Sequence, residues 1–87
     1  MNRREVLDRA AECVLHDRAA THGEPEDTFG TIARLWAAYL GVDVTAADAA
    51  ALLALLKIAR IKGNPRHDDN WIDLAGYAAC GAELVAA

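Results

Sequence analysis

A chain of 87 residues suffices for one domain and is too short for two, and folding removes only about two-thirds of its unfolded surface from water. Its 54% hydrophobic content exceeds what a lone bundle of this size hides easily, so the surplus is expected between subunits of a homo-oligomer. A formal charge of −4, with no long run of Lys or Arg, excludes a general nucleic-acid-binding face, which needs clustered cations on phosphates.

The first helix is predicted from about Asn2 to Ala20. Val6, Ala10, Cys13, Val14 and Asp17 follow the three-and-four spacing of one helical face, with Arg3, Arg4, Arg9 and Arg18 on the others. His22-Gly23-Glu24-Pro25 stops it, because glycine suits a helix C-cap and proline cannot continue a helix. A second helix is predicted from about Glu26 to Leu40, where Phe29, Ile32, Ala33, Trp36, Ala37 and Leu40 form a core stripe. Gly30 inside it costs about 1 kcal/mol against alanine, and close helix–helix approach is the expected reason. Gly41 ends the segment.

Thr45-Ala46-Ala47-Asp48 is a capping-box pattern, with Asp replacing the usual Glu, and opens a third helix over residues 46–61. That helix is apolar almost all round until Lys57, which predicts a central position with neighbours on several sides and hence a second chain beside it. The loop Lys62-Gly63-Asn64-Pro65-Arg66-His67-Asp68 precedes a fourth helix, about Asp69 to Val85. Asp68 or Asp69 is its expected cap, and Trp71, Leu74, Ala75, Ala78 and Leu84 its expected core contacts. No β pattern or internal repeat is present. The predicted fold class is all-α, a four-helix bundle-like single domain over residues 1–87.

Cys13 and Cys80 show no CxxC or Cys/His spacing and are expected to pack as small hydrophobes. Met1-Asn2-Arg3-Arg4 is followed by charged residues rather than the apolar stretch of a leader. The run from Ala46 to Leu56 holds Asp48 and is too short to span a bilayer, so a cytoplasmic setting without membrane contact is expected.

Serine is absent and neither cysteine has a histidine at motif spacing, which argues against nucleophilic catalysis. Asp69 and Asp73, four residues apart, share a helix face and are candidates to hold a divalent ion. The structural alternative has Asp69 capping the helix and Asp73 pairing with Arg60 or Arg66. Asp73 lies between Trp71-Ile72 and Leu74-Ala75, and a carboxylate in apolar company must find a partner. Lys57, Arg60, Lys62 and Arg66 either complement the negative end of the third helix or form a phosphate-binding mouth. The acidic stretch Glu24 to Asp27, beside His22, reads as helix capping or as a metal site. His16 and His67 have no partner at zinc-ligand spacing. Trp36 and Trp71 read as core or as base-stacking rings, and Tyr77, four residues after Asp73, adds a hydroxyl on the same face.

Three stretches carry a family resemblance: Arg18 to Trp36 with His22-Gly23-Glu24-Pro25, then Leu55-Leu56-Lys57-Ile58-Ala59-Arg60, then Asp69-Asn70-Trp71-Ile72-Asp73-Leu74-Ala75-Gly76-Tyr77-Ala78-Ala79. Over nearly the whole chain these resemble a family of short phage and prophage proteins of unknown function, which more often has Tyr where His22 stands. That family is similar in turn to the all-α nucleoside triphosphate pyrophosphohydrolases of the MazG type. The resemblance implies a dimer or tetramer of helical bundles. It also implies a nucleotide ligand and Mg²⁺ held by acidic motifs on adjacent helices, releasing pyrophosphate. The MazG pattern pairs an ExxE with a later ExxD, and this chain has no ExxE. Asp69 and Asp73, with Asp48 or Glu12, are the carboxylates available for the metal. Lys57, Arg60 and Arg66 would grip phosphates, and Trp71 or Tyr77 would face the base. The alternative expectation, from a different class, is a small non-enzymatic interaction or inhibitor protein acting on a host factor.

Overall fold

Asn2 starts the first helix: its side chain accepts a hydrogen bond from the Glu5 backbone N–H at 2.9 Å, and Glu5 Oε1 accepts one from the Asn2 N–H at 3.3 Å. This capping box satisfies two donors that the helix itself leaves open. The computed structural model describes residues 1–17 and 24–86. Among them, α1 spans Arg3–Glu12 and runs on into a π-helical turn over Cys13–Asp17. The α-helical pattern expected to continue to Ala20 therefore changes pitch at Cys13. Its expected end, with Arg18 and the stop signal at His22-Gly23, lies outside the described residues.

α2 spans Pro25–Leu40, with proline in the first turn, where its missing N–H is no loss. Gly41 closes it in the left-handed region, φ 72°, its N–H donating to the Ala37 carbonyl at 2.8 Å. α3 spans Ala46–Gly63. At its start Thr45 Oγ1 accepts from the Asp48 N–H and Asp48 Oδ2 accepts from the Thr45 N–H, both at 3.0 Å. Thr45→Ala is expected to destabilise the domain by about 1 kcal/mol, lowering its thermal midpoint by about 4–8 °C in a circular-dichroism melt. α4 spans Asp68–Ala86, so Asp68 and Asp69 occupy its first turn, where acidic groups suit the dipole, rather than preceding it as caps.

α3 and α4 run antiparallel: Lys57 meets Asp73, and a Cβ on Gly81 would stand 3.4 Å from that of Ala50. α2 packs on α3, and α1 packs chiefly on α4. α1 and α4 run in the same direction, since Met1–Leu7 lie beside Pro65–Trp71 and Cys13–Val14 beside Ile72–Cys80. The core is small. Phe29 is wholly enclosed among Ala33, Ala49, Ala50 and Cys80, with Ile32, Trp36, Leu53 and Tyr77 half-buried around it.

The inner face of α4 agrees with the expected one at Leu84, which packs on the core, and at the half-buried Leu74 and Ala75, and differs at Trp71 and Ala78. Asn70, Ile72, Gly76 and Cys80 are buried, whereas Ala78 is exposed and Trp71 is 42% exposed. The Trp71 indole N–H donates to the Pro65 carbonyl at 2.9 Å, which holds the ring against the loop instead of the core. Gly30 does not mark a helix crossing, because a Cβ there would meet only the Arg34 guanidinium at 3.5 Å. Gly76 does: a Cβ there would stand 2.9 Å from Val14 Cγ1. α3 turns Ala49 and Ala50 inward and leaves Leu52, Leu55, Leu56 and Ile58 exposed. Among the described residues no helix is long and apolar enough to cross a membrane.

Candidate functional site

The π turn and α4 enclose a cleft of about 250 Å³. Cys13 and Val14 form one wall; Ile72, Asp73, Gly76 and Tyr77 form the other, with Cys80 at the same cleft. Two local features make this geometry. The π turn re-aims residues 13 and 14 relative to a regular helix, and such turns recur at functional sites. Gly76 lets the two backbones approach, since any larger side chain would displace Val14.

Asp73 and Tyr77 are one turn apart on α4 and both face the cleft. Behind Asp73 stands Lys57 of α3, its Nζ 2.8 Å from Asp73 Oδ2. The lysine side chain is only 11% exposed and the carboxylate 41%, so the anion reaches the cleft while its cation is enclosed. Tyr77 is braced on its other side by Phe29, ring centroids 6.1 Å apart and planes at 80°, an edge-to-face contact. The site thus sets one carboxylate, backed by an enclosed ammonium, and one phenol in an otherwise apolar wall.

Asp73 finds Lys57, and not Arg60 or Arg66, as its ion-pair partner. The signal for this was Lys57 itself, the first cation in an apolar run, which needs an anion from the helix packed on it. The remaining candidates lie elsewhere. Asp69 is exposed in the first turn of α4. Asp48 is engaged in the α3 capping box, nine residues before Lys57 and hence about 13 Å away along the helix. Glu12 pairs with Arg9 at 3.2 Å on the surface. Arg60 and Arg66 are exposed, and Trp71 borders a separate shallow cleft with Met1 and Leu7. Among the described residues no three His, Cys, Asp or Glu side chains gather to hold a metal ion. The cleft offers Mg²⁺ one carboxylate, already sharing an oxygen with Lys57; Mg²⁺ commonly takes one or two carboxylates together with phosphate oxygens. These residues therefore form no all-protein cage for it. The meeting of Cys13 and Cys80 at one cleft was not legible, because they are remote in sequence and follow no motif.

The chain is similar in sequence to two curated phage proteins. The Gene 55 protein of Mycobacterium phage D29 is 39% identical over 75 residues, 86% of this chain and 50% of that protein. The Gene 55 protein of Mycobacterium phage L5 is 42% identical over 74 residues, 84% of this chain and 47% of that protein. The chain spans about half the length of the curated relatives it matches. No solved structure matches it. The phage origin of these relatives agrees with the resemblance carried by the three sequence stretches. The family model for a domain of unknown function, DUF6378, matches residues 5–85, and the chain belongs to that family.

Proposed function

We propose that this domain binds a nucleotide at the cleft between the π turn and α4, and that MazG-like pyrophosphohydrolysis of a nucleoside triphosphate is the reaction such binding would serve. The observation that carries the reading is the Asp73 carboxylate, backed by the enclosed Lys57, beside Tyr77 in the cleft wall. A volume of about 250 Å³ is below the range of about 300–1,000 Å³ usual for whole drug-sized ligands, so a base or a single phosphate group fits inside and the rest lies at the mouth. Asp73 holds Lys57 behind the cleft wall, so a phosphate group would meet this cation by displacing the carboxylate, with the exposed Arg60 three residues further along α3 as a second cation. Mg²⁺, carried in by the phosphates, would offset their charge beside Asp73.

The test is a thermal-shift screen of the full chain against nucleotides with and without Mg²⁺. At about a hundred times its Kd the right nucleotide stabilises by roughly 2.7 kcal/mol, a rise of several degrees for a domain this small. Lys57→Met, which keeps the aliphatic stem, should abolish the rise. Chromatographic detection of pyrophosphate then separates turnover from binding. No rise with any nucleotide in the wild-type protein would end this reading. It would favour the non-enzymatic alternative, a partner-binding protein acting on a host factor, for which the exposed Met1, Leu7 and Trp71 are the supporting observation. Co-purification of such a factor with Asp69→Asn/Asp73→Asn, undiminished, would support that alternative.

A further inference from the structure

The chain exposes more surface than a compact domain of its mass. A compact 9.3 kDa monomer exposes about 5,000 Å². This chain exposes 5998 Å², roughly 1,000 Å² more, and its radius of gyration of 13.3 Å exceeds the ~12 Å expected for its length. The excess is comparable to the ~800 Å² per partner buried in a standard protein–protein interface.

Four of the thirteen exposed large hydrophobic side chains among the described residues lie on α3. Its outward face carries Leu52, Leu55, Leu56 and Ile58, between 43% and 58% exposed. At 100° per residue Ala51 and Ala59 fall on the same face, and charges stand at its two ends: Asp48 near the start and Lys62 near the close, about 21 Å apart. Both charged residues are exposed. Asp48 uses Oδ2 in the capping box, leaving Oδ1 for a cation.

This face is complementary to itself when reversed. Set a second α3 antiparallel across it, with the twofold axis at Leu55, and residues equidistant from Leu55 come to the same height. Asp48 and Lys62, both near the midline of the face, then stand within reach of each other, while Leu52 packs beside Ala59 and Ile58 beside Ala51. Acid meets base and large meets small. An isologous interface requires this self-complementarity. A parallel arrangement would instead set Asp48 against Asp48 and Lys62 against Lys62. We infer that the outer face of α3 is a homodimer interface in which two copies pack antiparallel about a twofold at Leu55, registered by reciprocal Asp48–Lys62 pairs. This stands independently of the nucleotide site, whose cleft is lined by residues of the π turn and α4 and shares none with that face.

Sedimentation equilibrium of the full chain across the micromolar range should give twice the 9.3 kDa chain mass. Leu55→Glu places two carboxylates together on the axis and should weaken the dimer roughly thirty-fold or more, with helicity retained by circular dichroism. Lys62→Asp should weaken it a few-fold. A covalent readout guards against misfolding. Leu55→Cys should couple to itself under mild copper-phenanthroline oxidation, whereas Leu35→Cys, equally exposed on α2, should not. A monomer at every concentration would overturn the proposal and assign the face to another occupant, such as the additional residues of longer relatives. A dimer indifferent to Leu55→Glu, with no coupling of Leu55→Cys, would overturn it equally.

Discussion

Phe29→Ala is expected to destabilise the domain by about 3–5 kcal/mol, lowering its thermal midpoint by more than ~12 °C. Phe29 is 0% exposed and is the one large side chain fully enclosed among the described residues. Its buried neighbours Ala33, Ala49 and Ala50 are too short to collapse into the vacated space, so the cavity term adds to the lost transfer energy. The edge-to-face contact with Tyr77, worth about 0.5–1.5 kcal/mol, goes as well. For a chain of this length the whole folding free energy is about 4–13 kcal/mol, so this single change removes a large share of it. Phe29→Leu, which refills much of the volume, should cost about half as much or less. Urea titration of the three proteins checks this, and a Phe29→Ala variant within about 1 kcal/mol of wild type would mean that the core is centred elsewhere. Tyr77 also loses its brace, so nucleotide-dependent stabilisation should fall even where the variant remains folded.

The second large effect is an asymmetry across the ion pair. Asp73→Ala leaves Lys57, 11% exposed, without its counter-charge, and stranding an enclosed cation is the costly way to break a pair. A fully buried pair would cost about 3–5 kcal/mol to break in this way. Asp73 is 41% exposed and water replaces part of what it supplied, so about 2 kcal/mol is expected. Lys57→Met leaves the carboxylate free to turn into solvent and keeps the packing of the stem, so it should cost under ~1 kcal/mol. The double variant Lys57→Met/Asp73→Ala should then be more stable than Asp73→Ala alone. Denaturant midpoints of the three variants decide it, and the reverse ordering would show that Lys57 does not depend on Asp73.

The starts of α2 and α3 and the stop of α2 were legible because they are local chemistry. Thr45 with Asp48, Pro25 and Gly41 each act through the backbone within a few residues, and the stripe through Phe29 and Ala33 has polar residues between its members to define it. α4 has no such contrast. Apolar residues lie on nearly every side of it, so periodicity could not tell that Asn70 and Ile72 face inward while Trp71 turns to the Pro65 carbonyl. The π turn was invisible for a related reason. It contains no glycine or proline to mark it, and the feature that accompanies it is the absent Cβ of Gly76, remote in sequence. Lys57 and Asp73 were each singled out, but their pairing depends on the antiparallel register of α3 and α4, which no single-helix pattern encodes. Asp48 and Glu12 shared chemical type with Asp73 and nothing of its position.

α1 has one buried residue, Ala10, and rests chiefly on α4. Few apolar contacts hold such an element, so it opens at a free energy well below that of global unfolding. One wall of the cleft belongs to the turn that continues α1. Lifting the helix therefore dismantles the cavity, and a molecule seated there resists the lifting. Occupancy of the cleft and attachment of the amino-terminal helix are two readings of one equilibrium, each strengthened by the other to the same extent.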